Sequence, residues 1–379
     1  MAMPLRIVID RKIYLAQEAF ATLGEVLPLD GSRIDAQSVK DADLLITRTT
    51  TKVDESLLCN ARVRFVATAT AGTDHIDLDY LSRAGIAFTS AAGCNATAVA
   101  EYVINALVCL LTRRSLGLKG KTLGIVGVGH AGTALKRKAE CLGLRCLLND
   151  PPIFDRTGNA RYIPLADLLR RSDIVSLHVP RIMSGPYKTH HLLCQRALAT
   201  LKPGAVLINT SRGGVIDESG LAQVKHMLGG LILDVWENEP SIDTSILAMA
   251  DIATPHVAGY SLDGKIKATE TVYRKACEFL ECECRWQSPR GRRSGRQTID
   301  LINSTTPLKH TLSTVYDVYH DDTALRRITR EEDPESYFRS LRNSYRYRDA
   351  FSSFRLINTR HLSASQRAQL DCLGFMLED

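Results

Sequence analysis

One stretch constrains this chain more than any other. In LKGKTLGIVGVGHAG, residues 118–132, an apolar, β-prone run breaks into Gly127, Gly129 and Gly132 and resumes as the helix-like HAGTALKRKAECLG. Glycines at that GxGxxG spacing, between a strand and a helix, meet three demands. The turn is tight, the backbone can approach a pyrophosphate closely, and a helix N-terminus faces the anion. The next strand-like run, RCLLND, ends at Asp150, 18 residues beyond Gly132. An acid there suits the adenosine ribose hydroxyls and repels a 2′-phosphate, which favours NAD over NADP.

The surrounding pattern extends the reading. LRIVID, ADLLITR, VRFVATAT and IAFTSA alternate with helical or turn-rich stretches, and a long helix over about 95–114 leads into the glycine motif. A second series, KTLGIV, RCLLND, DIVSLHV, AVLINTS, GLILDVW and DIATPHV, follows, and a helical pattern covers about 262–283. Such alternation predicts βαβ units around parallel sheets, an α/β fold with two Rossmann-like lobes. The expected boundaries are 1–95 with 258–284 for a discontinuous substrate lobe, 96–257 for the dinucleotide domain, and 285–379 for a small α+β module. The active site is expected in the cleft where the lobes meet.

Net charge is only +6 over 379 residues, and 45% of them are hydrophobic, as in ordinary globular proteins. The start MAMPLRIVIDR carries no signal-peptide core, and AVAEYVINALVCLL is interrupted by Glu101 and Asn105, so a cytoplasmic protein without a membrane partner is expected. No CxxC pair occurs among the ten cysteines. Buried reduced thiols, Cys109 and Cys146 among them, are therefore expected in place of disulfides or a zinc site. Five arginines fall within 285–296, but aromatic interleaving stops at Trp286, which reads as a solvated linker and not a nucleic-acid site.

Chemistry gathers at the ends of the later strands: Arg212 after VLINTS, Glu237 and Glu239 after LILDV, and His256 in TPHVAGY. In open α/β sheets, ligands bind at the carboxyl ends of strands. A guanidinium can grip a carboxylate, a histidine can take a hydroxyl proton near neutrality, and an adjacent carboxylate favours the imidazolium that results. Those roles fit oxidation of a 2-hydroxy acid. Position alone does not choose between the two glutamates.

GIVGVGHAG, NTSRGGVID, DVWENEP and TPHVAGYS, in this order, resemble the D-isomer-specific 2-hydroxyacid dehydrogenases. FVATATAGTDHID, AAGCNATAVAEYV and the tail VYDVYHDDTALR resemble a subgroup acting on a phosphorylated acid. The resemblance implies NAD-dependent oxidation of 4-phospho-D-erythronate to 2-oxo-3-hydroxy-4-phosphobutanoate, on the way to pyridoxal 5′-phosphate, with the final module pairing two subunits into a homodimer. It implies Arg212, Glu239 and His256 as the catalytic set. Asp150, Thr210, Ser211, Asp234 and Gly259 are implied as cofactor contacts, and Thr49, Thr70 and Tyr260 as substrate contacts. Arg48, at the end of ADLLITR, is expected to reinforce the phosphate end, with tail arginines such as Arg346. Relatives commonly read HTPL where this chain has HVPR, so Val179 lacks a hydroxyl that could touch the cofactor. No metal is expected. The rival readings are a dehydrogenase for another 2-hydroxy acid, such as phosphoglycerate, and a non-enzymatic NAD-sensing protein on the same fold.

Overall fold

The computed structural model describes residues 4–289 and 297–379. The chain forms two compact units, Met1–Asn95 with Ser261–Arg293, and Ala96–Tyr260 with Ser294–Asp379.

In the first unit, β1 (Arg6–Asp10), β2 (Glu25–Leu29), β3 (Leu44–Thr47), β4 (Phe65–Thr68) and β5 (Ala87–Ser90) form one parallel sheet in the order β2-β1-β3-β4-β5. Leu44, Leu45 and Ile46 are wholly buried, as continuous apolar runs in two-faced parallel sheets should be. The sheet was expected from its sequence runs except for β2. That strand carries Pro28 and lies at the sheet edge, where a missing N–H breaks no ladder, and its partial exposure hides the apolar signal. The helix Leu262–Phe279 packs on this sheet through Val272, Tyr273 and Ala276.

In the second unit, β6 (Thr122–Val126), β7 (Arg145–Asn149), β8 (Ile174–Leu177), β9 (Val206–Asn209), β10 (Gly230–Leu233) and β11 (Ile252–Ala253) run parallel in the order β11-β10-β9-β8-β6-β7. Leu207 and Ile208 bury in different core clusters, one on each face, as the period of two requires. The helix Ala96–Arg113 is apolar and long enough to cross a bilayer, but 78% of it is buried within this unit. Its two polar interruptions are satisfied internally: Asn105 donates to Leu312 O at 2.7 Å, and Glu101 pairs with Lys138 at 3.0 Å.

The C-terminal segment adds β12 (Gln297–Asp300), β13 (Phe354–Ile357) and β14 (Met376–Leu377), a parallel sheet in that order, and helices at Pro307–Val315, Val318–Arg326, Pro334–Asn343 and Ala364–Cys372. Ile299, Leu356 and Phe375 join the core that holds the helix Ala96–Arg113. One expectation is corrected here. Cys141 is not a free thiol but is disulfide-bonded to Cys372, 231 residues away. Nothing local announces a pairing of that separation, whereas Cys109 and Cys146 are free, half-buried, and pushed up to about 11 by burial. Of the arginine-rich stretch, residues 290–296 lie outside the described residues.

Candidate active site

Each glycine of the motif has its own physical reason. Gly127 follows β6 at φ +87°, and a Cβ there would stand 2.7 Å from His178 O. A Cβ on Gly132 would fall inside contact distance of Gly127 O, so the turn and the helix His130–Cys141 can close only around glycine. At Gly129 an added Cβ would meet no protein atom, which leaves that face to a ligand. Asp150 follows β7, accepts Val128 N at 2.7 Å and caps the helix Pro151–Thr157 through Ile153 N at 3.1 Å. It therefore also braces the glycine loop.

Beside the loop lies a cavity of about 290 Å³, lined by Gly127, Asp150, Val179, Pro180 and Tyr187 among others. Val179 gives this wall an apolar face. Two buried polar atoms near these strand ends, Thr210 Oγ1 and His178 Nδ1, have no partner among the described residues. Full burial pushes His178 down to about 4, so its ring is neutral, with Nε2 on Ser176 at 2.9 Å. Orphaned polar atoms, an open glycine face and an apolar-walled cavity together fit a dinucleotide.

The turn after β9 is shaped by Asn209, whose Oδ1 takes Ser211 N at 3.0 Å and Ser211 Oγ at 2.8 Å, while its Nδ2 donates to Arg212 O at 3.1 Å. Gly213 lies so close to Trp236 O that no side chain fits. Arg212 is half-buried, with Nη1 on Ser211 O at 2.8 Å.

The structure distinguishes the two glutamates. Glu239 accepts Trp236 N at 3.0 Å and meets His256 Nδ1 at 2.7 Å. Glu237 meets His191 Nε2 at 2.7 Å instead, and its backbone N–H donates to Glu218 at 2.9 Å. Burial opposes the charge of Glu239, yet the charge and hydrogen bond of His256, with Arg342 beyond, hold it below the usual carboxylate range. A carboxylate can only accept, so His256 Nδ1 carries the proton and Nε2 is left as the basic nitrogen of the neutral ring. His256 itself sits at φ +59°. The loop around it is pinned by the buried Asp234, which accepts Thr254 Oγ1 at 2.6 Å, Val257 N at 2.7 Å and Ala258 N at 2.9 Å. Burial pushes Asp234 up to about 6.

Gly259 and Tyr260 continue this loop. Arg348 donates to Ala258 O at 2.6 Å, and the Tyr260 ring lies edge-on to Tyr345 at 5.6 Å. In the first unit, Arg48 and Thr49 follow β3, and Thr70 follows β4. Arg48 Nε pairs with the buried Asp10 at 2.9 Å, Thr49 is exposed, and Thr70 Oγ1 donates to Gly72 O at 2.9 Å. Arg346 is exposed. Sequence reasoning missed Arg342, whose guanidinium reaches Glu239. It also missed Asn209, although an Asn directly before Thr-Ser-Arg-Gly-Gly is a legible turn-former. Among the described residues, no group of three or more His, Cys, Asp or Glu is placed to hold a metal.

A glycine-loop parallel sheet with an arginine and a glutamate–histidine pair at its strand ends defines an NAD-dependent 2-hydroxyacid dehydrogenase. The family model "D-isomer specific 2-hydroxyacid dehydrogenase, NAD binding domain" matches residues 110–258, and "Domain of unknown function (DUF3410)" matches 294–374. Erythronate-4-phosphate dehydrogenase of Edwardsiella ictaluri is 41% identical, over 98% of this chain and 99% of that one. The enzyme of the same name from Chromohalobacter salexigens is 39% identical over 99% of each. D-lactate dehydrogenase of Aquifex aeolicus, solved with NAD and lactic acid, superposes with a TM-score of 0.60 at 26% identity, over 73% of this chain and 95% of that one. The chain belongs to the erythronate-4-phosphate dehydrogenase family.

Proposed function

We propose that the chain oxidises 4-phospho-D-erythronate at C2 to 2-oxo-3-hydroxy-4-phosphobutanoate, with NAD, in pyridoxal 5′-phosphate biosynthesis. The observation that carries this reading is the Glu239–His256 hydrogen bond, downstream of a glycine loop fit for a dinucleotide, in a chain alike end to end to enzymes of that name.

NAD, when bound, supplies the acceptor for the hydride that leaves C2. Arg212 holds the substrate carboxylate and so orients C2. His256 takes the hydroxyl proton on Nε2, and the carbinol becomes a carbonyl. Glu239 keeps the ring oriented and stabilises the imidazolium, which then gives its proton to solvent. The Gly127–Gly132 turn, Asp150, Thr210, Ser211, Asp234 and Gly259 hold the cofactor, with Asp150 on the adenosine ribose. Thr49, Thr70 and Tyr260 are proposed as substrate contacts, with Arg48 and the exposed Arg346 toward the phosphate. The same reading carries a cytoplasmic homodimer paired through the C-terminal segment.

Initial rates with NAD, measured for 4-phosphoerythronate beside 3-phosphoglycerate and unphosphorylated 2-hydroxy acids, test the proposal. A clear preference for 4-phosphoerythronate is expected. Faster turnover of 3-phosphoglycerate would move the enzyme to another acid, and no turnover with any acid would favour an NAD-sensing protein.

A further inference from the structure

The helix Pro334–Asn343 begins with Asp333 capping Ser336 N at 2.9 Å and is anchored by Phe338, which is wholly buried. Phe338 joins the core cluster of Trp236 and Ile242, with Tyr337 and Leu341 against it. Trp236 is the residue whose backbone N–H holds Glu239. Four residues after Phe338, on the same helical face, comes Arg342. Its Nη1 stands 3.9 Å from Glu239 Oε2, the oxygen that meets His256, and its Nη2 stands 3.5 Å from Tyr260 Oη. Its Nε is buried with no partner among the described residues.

A structural ion pair would look different. A guanidinium that serves as a carboxylate's partner approaches to below 3 Å, commonly in a fork. Arg342 stops short of that distance, so it leaves the hydrogen bond from Glu239 to His256 intact while adding a positive charge beside it. Among the described residues, ionisable groups close to the pair include Asp234 from the end of β10, Glu218 from the helix Glu218–Val224, and Tyr260 from the following loop. Asp234 and Glu218 carry negative charge or none, so Arg342 opposes them.

We infer that Arg342, carried by the C-terminal segment, is a positioning residue for the catalytic pair: its charge keeps Glu239 ionised and opposes protonation of His256 before substrate arrives. The segment lies within the family of unassigned role, 294–374, and D-lactate dehydrogenase of Aquifex aeolicus covers 73% of the chain. The pH setting of the base would therefore belong to the C-terminal segment. The inference rests on the reading of His256 as the base, not on the choice of acid.

Distances of 3.9 and 2.7 Å to one shared oxygen keep Nη1 and Nδ1 within ~7 Å of each other. At the effective dielectric of a partly buried site, removing that charge moves a proton equilibrium by on the order of one pH unit. The test is a pH titration of the His256 ring by NMR, its signal assigned by loss in His256→Asn, for the full chain and Arg342→Gln. The ring should protonate about one unit higher in the variant, and Arg342→Lys should bring it back. Arg342→Met, which keeps an apolar stem on the helix, repeats the measurement if Arg342→Gln fails to fold. With a substrate that turns over, the acid limb of kcat/KM should move up by the same amount while the alkaline plateau stays within a few-fold. An unmoved ring titration, or a rate loss equal at every pH, would overturn the inference. If 4-phosphoerythronate is inert but another 2-hydroxy acid turns over, the substrate reading fails and the titration still decides the role of Arg342.

Discussion

Gly129 and Gly132 lie three residues apart, yet the structure assigns them different duties, and alanine at each should separate binding from folding. A Cβ on Gly132 would lie well inside 3.0 Å of Gly127 O, a backbone atom that cannot rotate away. Overpacking of that kind costs about 3 kcal/mol. In a unit of this size, Gly132→Ala should lower Tm by roughly 6–10 °C. Gly129 has φ −72°, and an added Cβ meets no protein atom, so Gly129→Ala loses only the helix-capping preference. That loss is worth about 0.5–1 kcal/mol, or ~2 °C. The open face is where a pyrophosphate would approach, so the methyl should weaken NADH at least ~10-fold, about 1.4 kcal/mol. Thermal melts and a fluorescence titration with NADH, run on both variants, read the two effects separately. The reasoning fails if Gly129→Ala binds NADH like the parent, or if the two variants melt alike.

Three further outcomes are expected. Asp150→Ala should narrow the preference for NAD over NADP; because Asp150 also braces Val128 and caps a helix, Tm should fall by a few degrees as well, and equal binding of both cofactors by the parent protein would refute its role. Glu239→Gln should lower kcat and move the acid limb of the pH–rate profile to lower pH, since the imidazolium loses its anion, whereas Glu237→Gln should leave that limb in place because Glu237 sits on His191. Glu218 is raised by burial to about 7 from an ordinary 4.5, so the folded state holds a proton that the unfolded chain releases, and stability should fall as pH rises from about 4.5 through 7. Glu218→Gln should flatten that fall by on the order of 2 kcal/mol, and urea midpoints at pH 5 and 7.5 measure it.

What the sequence displayed were features with short-range physical signatures. The runs that became β1, β3, β4 and β5 and the strands of the second sheet are largely apolar because most of them are covered on both faces, and the glycine motif is legible because a tight turn, an open face and a close helix contact fall within six residues. What it could not display depends on contacts between distant segments. Glu237 and Glu239 are two residues apart and equally acidic. The choice between them is made by Trp236 N and His256 for one, and by Glu218 and His191 for the other. Arg48 reads as a free cation at a strand end, yet it faces the buried Asp10, so its removal would leave that carboxylate without its charged partner. Cys141 and Cys372 meet only because the helix after the glycine loop and the last helix share a core.

The wiring of His256 follows the same logic. A non-glycine residue at φ +59° holds that conformation only where its surroundings over-determine it. Asp234 supplies that constraint, with its two oxygens taking the amides of Val257 and Ala258 and the hydroxyl of Thr254. Thr254 is held in turn by Tyr102 at 2.7 Å, from the helix Ala96–Arg113. From the other side, Arg348 lies over the Tyr316 ring at 4.5 Å and anchors Ala258 O. His256 is therefore fixed by a strand end, by the buried helix and by the C-terminal segment together. A loop held from three elements can present Nε2 in one direction, which is the preorganisation that the proposed role of His256 as proton acceptor requires.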